Sequence, residues 1–223
     1  MRKLLLLITL IMPIIISGQD IRQIFINIPL DAFPSSGIEK YLKDKRELLM
    51  SKGNLVKEKK KLGDDEIFID TIDVKNGYIK FTSLRQSSDA THEMCYWNKK
   101  DGHKLIGVND IDCMIICGSI ISFYDLIDNK YVKHAYPSPI MDKVTIDMIL
   151  DIEKSKQKIK NNKNVTNSFD DLLNDMFDII YYLPQKGTNI KAKVYCGMDD
   201  NLFVFKCKEI ILEWDGNRFK IKK

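Results

Sequence analysis

Histidine is scarce in this chain, with three in 223 residues, and His92, His103 and His134 are scattered. A helical His-Glu-x-x-His zinc motif is absent, because tyrosine stands at position 96 after His92-Glu93. There is no Gly-x-Ser-x-Gly elbow of the kind that exposes a nucleophilic serine. A charge of dominant sign is missing too: 35 Lys and Arg against 31 Asp and Glu leave +4. That near-balance gives no sign of the clustered basic face of a nucleic-acid partner. No cysteine lies near residue 18, so the lipid anchor of a bacterial lipoprotein has no acceptor. Beyond residue 16 no apolar run approaches the roughly 20 residues that span a bilayer. The stretch 111–121 is short and broken by Asp, Cys, Gly and Ser. No strict internal repeat marks a propeller or solenoid.

What is present begins with a leader. Arg2 and Lys3 precede an apolar run over residues 4–16, broken only by Thr9 and Pro13, and Ser17-Gly18 supply small residues before Gln19-Asp20. Positive charge, apolar core and small residues in that order predict a cleavable secretory signal over residues 1–18. The mature chain then starts near Gln19, and losing Arg2 and Lys3 takes the charge from +4 to +2. Residues 19–223 are enough for one domain, exported to the periplasm or medium, with no transmembrane anchor.

The five cysteines, Cys95, Cys113, Cys117, Cys196 and Cys207, all fall in the mature part. An odd count in an oxidising compartment leaves at least one thiol free or paired between chains. Cys113 and Cys117 on one extended strand would stand roughly 13 Å apart, too far to bridge. A disulfide between them needs residues 114–116 to bend. Structural zinc needs four ligands at short paired spacings, and no second pair supplies them.

Periodicity predicts an α+β fold. Ile21, Ile24, Phe25 and Ile28 share a helical face between the cap Asp20 and the stop Pro29. Ser36 and Glu39 form a capping box for a second helix ending near Gly53. Alternation then takes over: residues 67–74 and 78–82 flank Asn76-Gly77, residues 93–98 and 103–109 flank a turn at 99–102, and residues 113–124 and 131–136 flank Asp128-Asn129. Successive hairpins make an antiparallel β-meander. A Lys/Asn-rich stretch over 154–167 reads as a flexible linker. An amphipathic helix follows from Ser168 through Ile180 to Leu183, and strands at 190–196, 202–207, 210–214 and 218–221 form closing β-hairpins.

Candidate chemistry is thin. His92-Glu93 is the one adjacent acid–imidazole pair, but neighbours on a strand point to opposite faces. Cys117, beside Gly118-Ser119, could be a nucleophile with His103 or His134 as base, although its flanks are apolar. The lysines at 57–61 precede Asp64-Asp65-Glu66 and read as a solvated loop, and those at 154–163 suit anionic lipid or polysaccharide no better than a linker. Tyr96, Trp97 and Trp214 could stack on sugar rings if exposed, or fill a seam between sheet and helix. Asp199-Asp200-Asn201 lacks calcium-loop spacing. Asn164-Val-Thr166 and Asp70-Thr71-Ile72 match short glycosylation patterns.

Four segments carry a resemblance: residues 76–80, the run from Cys95-Tyr-Trp-Asn to Asn109, the Cys113/Cys117 pair leading into Phe123-Tyr-Asp125, and Glu213-Trp-Asp-Gly-Asn-Arg-Phe219. Together they resemble small, uncharacterised exported proteins of the Bacteroidetes type. The resemblance implies a signal peptide, short helices and a meander centred on a cysteine-bearing strand, and it implies no activity. Similar proteins carry Gly or Pro between the two cysteines, so Met114-Ile-Ile116 argues against a bridge here. The sequence therefore predicts a non-catalytic binding or accessory module, with an unidentified envelope or extracellular protein or glycan as partner and no cofactor or metal. A hydrolase using His92, Glu93 or Cys117 is one alternative. An inhibitor or immunity protein for a secreted enzyme is another.

Overall fold

The computed structural model describes residues 19–33, 43–51, 59–62, 65–84, 89–113, 117–162, 169–196 and 202–222. The predicted leader, the Ser36–Glu39 capping box, Gly53, the Asn164-Val-Thr166 pattern and the Asp199–Asn201 turn lie outside the described residues.

Seven antiparallel strands form the larger sheet in simple sequence order: β1 (Lys59–Leu62), β2 (Asp65–Asp73), β3 (Tyr78–Leu84), β4 (Asp89–Asn98), β5 (Lys104–Cys113), β6 (Cys117–Ile127) and β7 (Lys130–Lys133). The turns are those expected. Gly77 adopts φ +65, and Asp128 and Asn129 adopt φ 49 and 63, the left-handed pair of a two-residue hairpin. The lysine segment read as a solvated loop instead contributes β1, an edge strand of three lysines and a leucine. Lysine on an edge opposes further pairing.

The smaller sheet has the order β11-β10-β9-β8, from β8 (Phe177–Tyr182), β9 (Ile190–Cys196), β10 (Ile210–Trp214) and β11 (Phe219–Ile221). It covers one face of the larger sheet, where Tyr78, Cys95, Trp97, Leu105, Ile121 and Phe123 pack against Ile190, Ala192, Leu212 and Phe219. The opposite face is covered by α1 (Ile21–Asn27) and α2 (Lys43–Met50), whose Ile21, Ile24, Phe25 and Leu49 meet Ile67, Ile79, Phe81, Met94 and Ile106. β4 and β5 are thus buried on both faces.

Local chemistry fixes the helix layer. Asp20 caps α1 by accepting from the Arg22 and Gln23 amides at 2.9 and 3.1 Å. The buried Arg46 of α2 donates through Nη1 to the Phe25 and Ile28 carbonyls at 3.1 and 2.8 Å. It closes the end of α1, where carbonyls lack intrahelical partners.

Three expectations need correction. The linker predicted over 154–167 begins as a helix, α4 (Ile152–Lys160), capped by Asp151. Its narrow buried stripe is Ser155 and Ile159. The long amphipathic helix stops early: α5 covers Phe169–Met176, and Phe177–Tyr182 is a strand paired with β9. Aromatic and β-branched residues suit that strand, and tertiary pairing overrides the helical period. Residues 202–207 form no strand, only a bridge from Phe205 to Leu150 near α3 (Ile146–Ile149). No helix of the described residues is long and apolar enough to cross a membrane.

Candidate functional site

β4 places His92 and Glu93 on opposite faces of the larger sheet, as the alternation requires. His92 faces the helix layer. The β4–β5 register sets it directly opposite Asp110, and Ser83 of β3 lies diagonally across. Nδ1 pairs with the Asp110 carboxylate, and Nε2 stands 2.8 Å from Ser83 Oγ. An ionised carboxylate only accepts, so a neutral His92 carries its proton on Nδ1 and accepts the Ser83 hydroxyl at Nε2.

The connectivity is that of a serine–histidine–carboxylate relay, but the surroundings are those of a core. Phe81 stacks on the imidazole at 4.6 Å and Phe33 meets it edge-on at 6.1 Å. Ser83 and His92 are 0% exposed and Asp110 2%. A nucleophile must meet its substrate, and this hydroxyl is sealed.

Glu93 faces the smaller sheet and stitches the two together. One carboxyl oxygen accepts from Tyr78 Oη at 2.7 Å, and the other from the Leu183 amide at 2.9 Å and Asn109 Nδ2 at 3.2 Å. Asn109 also donates to the Tyr181 carbonyl at 2.6 Å and accepts from Ser119 Oγ at 2.7 Å. Burial, with the neighbouring Glu93 charge, pushes the Tyr78 phenol far above its ordinary range.

Cys117 has no nucleophilic thiol. It opens β6 opposite Cys113, which closes β5, and the two form a disulfide with Cα atoms 4.0 Å apart. The expectation against a bridge rests on one continuous strand; the two cysteines instead stand opposite each other on antiparallel neighbours, β5 and β6. His103 and His134 lie beyond its reach, paired with Asp101 at 3.4 Å and Asp125 at 3.2 Å near the other end of the sheet. The disulfide and Glu93 share a cleft of about 230 Å³ with Lys80, Thr91, Tyr182 and Tyr195. The structure thus brings Glu93 and Cys117 together and separates both from His92.

A further hollow lies at the turn end of the two sheets. It is an open groove of about 310 Å³ between the β2–β3 turn, the end of β4, the β8–β9 turn and β10. Trp97 and Trp214 supply its aromatic floor, with Asn76, Asn98 and Thr188 as polar groups and Lys75 beside them. The indoles are placed by packing. A Cβ on Gly107 would stand 2.7 Å from Trp97 Cζ3, so glycine opens the space for that ring. Trp214 lies against Phe219 at 4.8 Å and Trp97 at 6.1 Å.

Hydrogen bonds tie the turns across the sheets. Trp97 Nε1 donates to the Thr188 carbonyl at 2.8 Å, Gln185 Nε2 to Asp73 at 3.4 Å, and the Lys100 amide to the Gly216 carbonyl at 3.1 Å. The aromatic residues of this site were visible in the sequence. Asn76, Asn98 and Thr188 carry no such signal in the sequence, because only the stacking of the two sheets brings them beside the indoles.

Among the described residues no group of three His, Cys, Asp or Glu side chains is placed to hold a metal ion. No family model and no curated protein matches the sequence. Among solved structures the chain is similar to a domain of an uncharacterized protein from Porphyromonas gingivalis W83, at 11% identity and a TM-score of 0.61. The match covers 92% of this chain and 100% of that one, so the likeness is one of fold, shared with an uncharacterised domain of a Bacteroidetes organism.

Proposed function

We propose that the chain is an exported, non-catalytic binding or accessory module that engages an envelope or extracellular partner. One observation carries the reading: the side chains with catalytic potential are occupied in holding the fold. Cys117 is in a disulfide, Glu93 accepts three hydrogen bonds between the sheets, and His92 is sealed between Ser83 and Asp110. The signal-like order of residues 1–18 supports export, and a disulfide suits an oxidising compartment.

The test is affinity capture with the full chain from envelope and culture fractions, with N-terminal sequencing of the recovered protein. A start near Gln19 and a stoichiometric partner or polymer retained by the His92→Ala and Glu93→Gln variants agree with the reading. An intact Met1 start removes the export part, and a hydrolytic activity lost in either folded variant removes the non-catalytic part.

A hydrolase reading draws on one observation, the Ser83–His92–Asp110 order. Its reporter is a fluorophosphonate probe, which labels an activated serine. Native protein stays unlabelled on the binding reading, whereas labelling that disappears in Ser83→Ala would favour the hydrolase.

A further inference from the structure

The geometry points to a saccharide-binding site in the turn-end groove, with Trp214 as its stacking surface and Asn98, Asn76 and Thr188 as its hydroxyl-reading groups. This deepens the binding-module reading and rests on it. A pyranose ring has an apolar face of C–H groups and a rim of hydroxyls that both donate and accept. It needs an aromatic plane for the face and neutral groups able to do both for the rim. The groove supplies that pairing: an indole floor, two carboxamides and a threonine, with no acidic residue among those that line it. Asn98 and Thr188 are exposed, and Trp214 is partly so. Asn76 Nδ2 is held by Asp73 Oδ2 at 2.7 Å, which fixes the amide plane.

Volume and rigidity fit the same ligand class. About 310 Å³ lies at the small end of ligand pockets, enough for a short stretch of sugar chain rather than a folded partner. The walls are turns already bonded to one another across the sheets, so little ordering entropy is lost on binding. Two other hollows among the described residues are less suited. The cleft at the disulfide contains a glutamate already satisfied by protein donors, and a third of about 200 Å³ beside Ser138, Lys143 and Asp178 has no tryptophan.

The chain contains two tryptophans, and both line this groove, so intrinsic fluorescence reports on it directly. Purified protein is titrated with neutral oligosaccharides of glucose, N-acetylglucosamine, mannose and xylose, and variants are measured by calorimetry. Saturable quenching or a spectral shift with at least one series is expected. Asn98→Ala, an exposed change that spares the core, weakens binding by about threefold or more, and Trp214→Ala by about tenfold or more. Tyr195→Ala, in the other cleft, leaves affinity unchanged. Circular dichroism checks each fold; if Trp214→Ala unfolds, Asn98→Ala and Thr188→Ala decide the matter. No response to any series, or binding unaffected by Asn98→Ala and Thr188→Ala, overturns the inference. If sugars fail while affinity capture still returns a partner, the binding-module reading stands without its saccharide; if both fail, both fall.

Discussion

Glu93 is 5% exposed and accepts from Tyr78, Asn109 and the Leu183 amide, so removing its carboxylate takes the acceptor from three donors at once. Glu93→Ala is therefore expected to cost about 3 to 5 kcal/mol, read as a lowered urea midpoint, while Glu93→Gln loses less because an amide oxygen still accepts. Tyrosines add a pH dependence. Burial pushes Tyr131 and Tyr181 up to about 12 and Tyr78 higher still, from an ordinary value of 10.0. Above that ordinary value the unfolded chain has lost protons that the native state retains. The unfolded state then binds fewer, and stability falls as pH rises through the window. Urea midpoints should drop between about pH 10 and about pH 12, and Tyr181→Phe should flatten the decline.

At the scale of elements, two connections have measurable weight. The Cys113–Cys117 bridge closes a short loop between β5 and β6, for which chain entropy predicts about 2 kcal/mol. A Cys113→Ser/Cys117→Ser variant should melt lower by that amount, and reductant should shift the native protein but not the variant. Arg46→Ala should cost about 1 to 3 kcal/mol in thermal unfolding, since it leaves two carbonyls at the end of α1 without their donor. The hairpins and α1 were legible because their signals are local: Asn-Gly and Asp-Asn turns, strict alternation, an aspartate cap. β8 was not, because Phe177 and Ile180 continue the helical spacing of α5 while pairing with β9 decides the backbone. α4 was hidden by its lysines, which leave only Ser155 and Ile159 to bury; Ser155 Oγ also accepts from the Val204 amide at 3.0 Å, a contact no periodicity encodes. The candidate site follows the same division. Trp97 and Trp214 stood out as residue types, but the turn at Gly187-Thr188 that completes their groove lies 91 positions from Trp97 along its closest hydrogen bond.

Over the whole molecule, burial is greatest where the layers share a sheet. β4 and β5 are covered by helices on one side and by β8–β11 on the other, whereas β1 and β7 are edges. Amide hydrogen exchange should therefore be slowest in β4 and β5 and fastest in β7, whose residues are mostly exposed. Equal protection across the larger sheet would contradict this layering. The strand order carries a further consequence, in time rather than in space. Each strand of the larger sheet pairs with its neighbour in sequence, so its contacts are short-range and form quickly. The smaller sheet begins only at Phe177. A chain emerging N-terminus first, from a ribosome or a translocation channel, can complete seven strands before the second sheet exists. During that interval Tyr78, Cys95, Trp97 and Phe123 lie open on the uncovered face. The chain's most vulnerable moment is thus the wait for its own last fifth, from Phe177 onward, when a holdase would find its natural target.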